Sequence, residues 1–335
     1  MTRRRMLLTI AAAAGMLALA VPGAPASAQD KIVIKLGHHH NVGGLVDNYA
    51  KHFSKVMAQK TNGRVDVQVF PGAQLGQEGE AVEGVHLGTL QMTIGSSPFL
   101  DKYVKEMGTE QLPYLFESWE HADRALNGPV GEELTKRLLE RSNVRLLSFF
   151  PFGFRDMFFR DKPVTNLTQL KGMKMRAPQA VIYIRMFELL GSRPTTVTWG
   201  EFYTALQTGL VEGGESPPTA GLDMKFNEVS KYWLDTNHMF ASINHMVNKR
   251  FFDGLPKDVQ TAILAAARET ATEITKQARV LDTEAVKNLK ARGIQYLEPE
   301  NREEWRKAVQ PFYAEYTKDR PGAKSIIEMI QKTAK

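Results

Sequence analysis

The stretch FYTALQTGLVEGGESPP, residues 202–218, combines the end of a helix, a short strand and a polar tip. Gly209 ends the predicted helix, and the tip consists of Glu215 and Ser216 before two prolines. An earlier stretch, VHLGTLQMTIGSSP at residues 85–98, has the same order of helix end, glycine, strand, glycine, serine and proline. Ligands of parallel α/β sheets bind beyond the carboxyl ends of the strands. The repeat predicts two lobes whose polar strand ends face a cleft, although Glu-Ser-Pro-Pro is also typical of an ordinary turn.

Strands and helices alternate along most of the chain, which predicts an α/β architecture with largely parallel sheets. Apolar residues recur at strand or helix spacing. The predicted strands cover residues 32–34, 65–69, 92–94 and 173–177, and the predicted helices cover residues 47–61, 79–87 and 180–190. A capping box of Thr198 and Glu201 is expected to begin the next helix. An apolar face that persists from residue 256 to residue 289 predicts one long C-terminal helix.

The first 28 residues have the three-part pattern of a secretory signal peptide. Three arginines at residues 3–5 precede an apolar run at residues 6–21, and Ala-Ser-Ala at residues 26–28 supplies small residues for cleavage. The apolar run is shorter than the roughly 20 residues that a membrane-spanning helix needs. We therefore predict that residues 1–28 are removed and that the mature chain is exported to the periplasm.

The composition argues against several classes of protein. The leader contains three arginines and no acid, so the formal net charge falls from +6 to +3 when it is removed. No block of five or six like charges is present, which argues against nucleic acid or a membrane surface as a partner. The chain contains no cysteine, which excludes disulfides, zinc–thiolate sites and thiol nucleophiles.

Two arginines lie in apolar surroundings. Arg155 lies in the aromatic stretch FFPFGFRDMFF, and Arg176 ends the predicted strand in KGMKMRAP. A guanidinium group presents a planar fork of donors that matches a carboxylate. Each arginine could bind a substrate anion, or it could form an internal salt bridge with a partner such as Asp156 or Glu215.

Four stretches together resemble the extracytoplasmic solute receptors of TRAP transporters, the DctP-like family. LKGMKMRAP at residues 170–178 and WGEFYTALQTGLVEGGESP at residues 199–217 resemble the family signature. QVFPGAQLGQEGE at residues 68–80 resembles its turn after a strand, and LDTNHMFASINHMVNK at residues 234–249 resembles its returning interdomain strand. The similarity covers essentially the whole mature chain.

The resemblance implies a two-lobed fold like that of periplasmic binding proteins, with an interdomain cleft and the long C-terminal helix spanning both lobes. We assign residues 30–152 and 241–280 to lobe 1, and residues 153–240 and 281–335 to lobe 2. Such a receptor captures a small organic acid by its carboxylate and delivers it to the membrane permease of a tripartite ATP-independent transporter. It is expected to act as a monomer, without catalysis and without a cofactor.

The resemblance also implies roles for individual residues of lobe 2. Arg176 would clamp the ligand carboxylate, Arg155 would assist it, and Trp199 would pack on the ligand. The family usually has asparagine after the glutamate of the strand tip, whereas this chain has Ser216 after Glu215. Serine is shorter and offers one donor, so the carboxylate would bind differently or through a water molecule.

In lobe 1, the expected contacts are His39 after the first strand, Ser96 at the next strand end, and the nearby ring of Phe99. If the loop of residues 38–40 is extended, His39 points away from the other two histidines. The three histidines also suggest metal binding, but no accompanying motif such as HExxH is present, and we predict no metal site.

Two other functions are compatible with parts of the sequence. A hydrolase would use Ser216, but its surroundings lack the Gly-x-Ser-x-Gly pattern, and the following proline offers no amide to an oxyanion hole. A receptor that presents its ligand to a sensor kinase would have the same fold. The ligand itself stays open between an aromatic, keto or hydroxy acid, a C4-dicarboxylate and a sugar acid.

Overall fold

Two long antiparallel strands form the centre of the fold. The computed structural model describes residues 31–334, and the predicted signal peptide lies outside the described residues. The strands are β1 (Ile32–His38), β2 (Val65–Phe70), β3 (Met92–Gly95), β4 (Val144–Phe159), β5 (Lys174–Ala177), β6 (Arg193–Thr196), β7 (Gly213–Ser216), β8 (Tyr232–Asn248) and β9 (Gln295–Leu297). β4 and β8 pair along almost their whole length, from Val144 opposite Asn248 to Phe159 opposite Tyr232.

Helices cover the sheet and carry most of the remaining chain. They are α1 (Leu45–Lys60), α2 (Glu78–Leu87), α3 (Trp119–Leu126), α4 (Pro129–Arg141), α5 (Leu167–Leu170), α6 (Val181–Leu189), α7 (Phe202–Thr208), α8 (Pro218–Asp223), α9 (Lys249–Asp253), α10 (Lys257–Ala291), α11 (Arg302–Val309), α12 (Pro311–Lys318) and α13 (Pro321–Lys332). Within residues 31–334, no helix combines the length and the apolar character that crossing a bilayer requires.

All nine strands of the described chain belong to one mixed sheet. Its order is β2-β1-β3-β8-β4-β7-β5-β6, with β9 added beside β8. The outer pairs are parallel, namely β1–β2, β1–β3, β5–β6 and β5–β7. The three central pairs, β3–β8, β8–β4 and β4–β7, are antiparallel. The predicted α/β class is confirmed. The prediction of largely parallel strands is correct only for the two flanks of the sheet, because the long strands β4 and β8 form antiparallel pairs at its centre.

A β-bulge interrupts the central pair near its middle. The register between β4 and β8 shifts between Pro151 and Gly153, and Gly153 then lies opposite Ala241. Gly153 has a φ of 116°, a conformation that L-residues with a side chain rarely adopt. The predicted lobe boundaries at 152/153 and 240/241 fall at this bulge, and the boundaries stay a prediction.

The long C-terminal helix is confirmed as α10, which has 35 residues and a length of about 50 Å. Its buried stripe of alanine and isoleucine packs against α1, β4 and α8. α1 belongs to the predicted lobe 1 and α8 to the predicted lobe 2, so α10 contacts both. The last helix, α13, packs against α4, which joins the predicted end of lobe 2 to lobe 1.

Two local predictions differ from the structure. The Thr198–Glu201 capping box is wrong, because the Thr198 hydroxyl donates to the Glu201 carboxylate and α7 begins at Phe202 without a side-chain cap. The first strand also continues through Gly37 to His38. This extension brings the next histidines to the end of the sheet.

Candidate functional site

A cavity lies beyond the carboxyl ends of strands from both flanks of the sheet, where β1 and β3 are parallel to each other and β5 runs in the opposite direction. β1 leads to two of its histidines, β3 leads to Ser96, and β5 carries Arg176. The lining residues are His39, His40, Glu78, Ser96, Phe99, Phe152, Arg155, Arg176, Pro178, Tyr183, Trp199 and Ile243. They come from both predicted lobes, as expected for a cleft at the ends of parallel strands. The cavity volume is about 30 Å³, so the opposing walls lie close together.

Arg176 is a buried cation without an ion-pair partner in the described part of the chain. Its side chain is on β5 and the residue is 3% exposed. Nε donates to the carbonyl oxygen of Val197 at 2.9 Å, while the buried Nη1 has no hydrogen-bond partner. The guanidinium lies over the rings of Trp199 and Phe202, 5.4 and 4.8 Å from their centroids. Burial lowers the pKa of Arg176 to about 10, which still leaves it charged at neutral pH.

Arg155, in contrast, is paired. It donates through Nε and Nη2 to the carboxylate of Glu215, the second contact at 2.7 Å. Burial alone would raise the pKa of Glu215, but the adjacent Arg155 charge outweighs it and holds that pKa at about 2. The pKa of Arg155 is raised by the same pairing, against the opposing effect of burial. Of the two predicted alternatives, Arg155 therefore has the internal salt bridge, and it also lines the cavity.

The strand tip of β7 does not reach the cavity surface. Glu215 and Ser216 are fully buried, and neither lines the cavity. β7 is held between β4 and β5, where Glu215 faces Arg155 and lies 3.6 Å from His238 Nε2. The Ser216 hydroxyl donates to the carbonyl oxygen of Pro217 at 3.1 Å. The prediction that these two side chains contact the ligand directly is therefore not supported by their positions.

Trp199 and Phe99 lie in the cavity wall where the sequence predicted them. The indole Nε1 of Trp199 is buried and has no hydrogen-bond partner among the described residues. Its ring lies 5.6 Å from the ring of His40 and 5.4 Å from that of Phe226, so packing fixes its orientation. This apolar part of the cavity wall thus includes a buried N–H donor that lacks an acceptor.

His39 and Ser96 meet at Glu78, a cavity residue that sequence reasoning missed. Ser96 donates to Glu78 Oε1 through its backbone N–H at 2.6 Å and its hydroxyl at 2.7 Å. His39 Nε2 lies 3.4 Å from Glu78 Oε2. Glu78 lies within QLGQEGE, the stretch that supported the family resemblance, but nothing in that pattern pointed it towards the strand ends.

The three histidines do not alternate as predicted. His38 turns to Asp47, with 3.3 Å between Nε2 and Oδ1, whereas His39 and His40 both line the cavity with ring centroids 4.3 Å apart. The chain bends after β1, so the extended geometry behind the prediction does not apply. Burial lowers the pKa of His39 and, more strongly, that of His40. In residues 31–334, no cluster of histidines and carboxylates has the make-up of a metal site.

Sequence reasoning also missed His40, Phe152, Pro178, Tyr183 and Ile243 as cavity residues. Tyr183 is the most informative of them, because it belongs to the predicted lobe 2 and its hydroxyl donates at 2.7 Å to Oε1 of Gln111, a residue of the predicted lobe 1. The sequence could have indicated Tyr183 as a cavity residue, because it lies in the predicted helix of residues 180–190, just beyond Arg176.

A second, larger depression lies on the surface along α10. Its volume is about 630 Å³, and its walls come from α3, β4 and α10. The basic side chains there are Arg268, Lys276 and Arg279. None of the predicted site residues lines this depression, whereas six of them line the smaller cavity, which is therefore the candidate site.

A two-sided cavity at the ends of parallel strands, with one unpaired buried arginine, defines the class of two-lobed ligand-binding receptors. The chain belongs to the DctP family, because residues 36–319 match the model for "bacterial extracellular solute-binding protein, family 7". This is a family of solute-binding proteins of TRAP transporters, not of enzymes.

Individual relatives support the assignment over the full length. The chain is 32% identical to a C4-dicarboxylate-binding periplasmic protein DctP of Rhodobacter capsulatus, over 100% of this chain and 99% of that protein. A TRAP solute-binding protein of Polaromonas sp. JS666, solved with D-erythronate, is 28% identical with a TM-score of 0.85, over 90% of this chain and 98% of that one. The galactonate complex of DctPAm from Advenella mimigardefordensis is 25% identical with a TM-score of 0.87, over 91% and 99%.

Proposed function

We propose that this receptor captures a small organic acid by binding its carboxylate to Arg176. The supporting observation is the unpaired guanidinium, which is buried, lines the cavity and has a free Nη1 donor. A buried charge is costly unless it is paired, and a carboxylate offers the matching bidentate acceptor. The relatives named above were described with a C4-dicarboxylate, D-erythronate and galactonate, all of which carry a carboxylate.

Neighbouring groups would complete the capture. Arg155 would contribute its remaining guanidinium edge, held in place by Glu215, and Trp199 and Phe99 would cover the apolar parts of the acid. His39 and Ser96 would act through Glu78 or directly. Ser216 and Glu215 would support the site from behind rather than touch the ligand.

The biological setting is part of the same proposal. The family is periplasmic, and we propose that residues 1–28 direct export and are then removed. The loaded receptor would deliver its acid to the membrane permease of a TRAP transporter. We propose that it does so as a monomer built from the two lobes assigned above.

The test is titration calorimetry of the mature chain with D-erythronate and galactonate, repeated with Arg176→Met. We expect the substitution to weaken binding about 100-fold or more, because the ligand carboxylate would lose a buried charge-assisted partner. The unliganded variant should be no less stable than the wild type, since an unpaired buried charge is removed.

Arg193→Met is the matched control, because Arg193 is an exposed arginine on the neighbouring strand β6. It should bind both acids as the wild type does. Unchanged affinity in Arg176→Met, or equal binding of the uncharged amides of the two acids, would contradict carboxylate capture at this residue.

A further inference from the structure

We propose that Glu78 restricts the ligand to acids with a single carboxylate and several hydroxyl groups, so that this receptor discriminates against dicarboxylates. The inference rests on the proposed function, because it takes the carboxylate at Arg176 as given. It adds the chemical class of the remainder of the ligand and names the residue that selects it.

The charges around the cavity leave room for one ligand carboxylate. The charged lining residues are Arg155, Arg176 and Glu78. Glu215 neutralises Arg155 through the bidentate pair described above. Arg176 is then the one cation of the wall without an ion pair among the described residues, and Glu78 contributes a negative charge that also acts on Arg176 through space. A second ligand carboxylate would have no free cation to bind.

Glu78 is held as an acceptor of hydrogen bonds. Its Oε1 receives both hydrogen bonds from Ser96, and Glu78 is the first residue of α2, where the helix dipole favours a negative charge. The side chain is therefore fixed in direction. Its Oε2 lies 3.4 Å from His39 Nε2 and can accept a further hydrogen bond, because a carboxylate oxygen has two lone pairs. A ligand hydroxyl can donate to it, whereas a second carboxylate has no hydrogen to donate and meets a like charge.

The neighbouring unpaired atoms also suit hydroxyl groups. His39 Nδ1, His40 Nε2 and Trp199 Nε1 are buried without hydrogen-bond partners among the described residues. Because burial keeps the two imidazoles neutral at neutral pH, each ring has one donor and one acceptor nitrogen. Hydroxyl groups can both donate and accept, so a polyhydroxy chain matches this mixed set better than a second anion does.

Family membership alone does not decide between the two ligand classes. One relative is named for C4-dicarboxylates, whereas two solved relatives hold hydroxylated monocarboxylates. The discriminating feature in this chain is the carboxylate of Glu78 in the same wall as Arg176.

The experiment compares pairs of acids that differ only in the oxidation state of the terminal carbon. D-Erythronate is paired with meso-tartrate, and D-galactonate is paired with galactarate, because each dicarboxylate is the monocarboxylate with its terminal CH₂OH oxidised. Calorimetric titration of the wild-type mature chain should give at least about tenfold tighter binding of the monocarboxylate in a pair, since like charges in an interface cost several kcal/mol. Butyrate, which lacks hydroxyls, should bind more weakly than D-erythronate.

Glu78→Gln removes the negative charge and keeps the shape of the side chain. It should reduce the preference for the monocarboxylate about tenfold, mainly by improving binding of the dicarboxylate. Glu83→Gln is the control, because Glu83 lies on the same helix but is exposed and pairs with Lys102. It should leave the preference unchanged.

The outcomes separate this inference from the proposed function. Equal or tighter binding of the dicarboxylates by the wild type overturns the selectivity of Glu78 and leaves carboxylate capture intact, and this result needs no variant. An unchanged preference in Glu78→Gln, with folding verified by circular dichroism, also overturns it. Binding that survives Arg176→Met, or binding of none of the five acids, contradicts the proposed function and the inference with it.

Discussion

Two arginines in one cavity wall have opposite electrostatic surroundings. Arg155 has a buried carboxylate partner within the chain, and Arg176 has aromatic rings and one carbonyl oxygen. The carboxylate partner fixes the side chain of Arg155, whereas the guanidinium of Arg176 needs an anion from outside the chain. Glu215, near the end of β7, contributes to the site by positioning Arg155.

The Arg155–Glu215 pair is predicted to be important for stability because both groups are buried. Glu215→Gln would leave an uncompensated guanidinium in the interior and should lower the free energy of unfolding by about 3–5 kcal/mol. Replacing both residues, as Arg155→Met with Glu215→Gln, should restore part of the loss. Urea denaturation monitored by circular dichroism measures both.

The control is an exposed pair of the same geometry. Arg185 donates through Nε and Nη2 to the two carboxylate oxygens of Glu315, but at the surface. Glu315→Gln should have little effect, because solvent screens such pairs. Comparable losses in Glu215→Gln and Glu315→Gln would show that burial does not determine the strength of the interior pair.

For individual residues, the sequence predicted which side chains line the cavity better than it predicted their contacts. Arg155, Arg176, Trp199, His39, Ser96 and Phe99 all line the cavity as predicted, although their binding roles stay a prediction. Glu215 and Ser216 do not, because the direction of a strand-end side chain depends on which neighbouring strands enclose it. Sequence spacing carries no information about that enclosure.

Among the elements, β4 and β8 decide how the two predicted lobes are connected. Short strands and helices were predictable because their apolar residues repeat over a few turns or pleats. β4 was not predicted as a strand, since FFPFGFRDMFF contains a proline, a glycine and no simple alternation. These residues belong to a bulged strand, and the bulge at Gly153 is the feature that disturbs the pattern.

Substitution at this bulge is predicted to be costly for two reasons. Gly153 has a φ of 116°, and an added Cβ would lie 3.0 Å from Asp282 Oδ1 and 3.4 Å from the Trp119 ring. Gly153→Ala should lower the free energy of unfolding by about 1–3 kcal/mol from backbone strain, with a further loss from these contacts.

Gly293→Ala separates the two causes. Gly293 has a φ of 87°, but nothing lies within 4 Å of an added Cβ. This control should show the backbone cost alone, so its thermal unfolding should shift less than that of Gly153→Ala. Equal shifts would mean that the close contacts at the bulge relax freely.

For the whole molecule, the cavity is too small for a sugar acid in the arrangement described. Its volume of about 30 Å³ is well below the roughly 300 Å³ of small-molecule pockets in general. Entry of the acid therefore requires the walls to separate. Lining residues lie on β4 and β8 and on both sides of this pair in the sheet, so we expect the pair to bend when the cavity opens.

Small-angle X-ray scattering measures this motion directly. A compact chain of this length has a radius of gyration of about 19 Å. We expect the mature protein with saturating D-erythronate to approach that value and the acid-free protein to exceed it. Arg176→Met should show no decrease when the acid is added. Identical scattering curves for the wild type with and without an acid that binds would contradict opening and closure.

The position of β8 in the sheet has a consequence for how the protein is made. β3 is flanked by β8, so Thr93 pairs with Met246, and β4 is likewise flanked by a strand from much later in the chain. During synthesis, the amino-terminal half cannot complete its sheet until the segment around residue 248 is available. Pairings between such distant segments form slowly, because a long loop must first be closed. The newly made polypeptide should therefore stay incompletely folded until most of it has been synthesised.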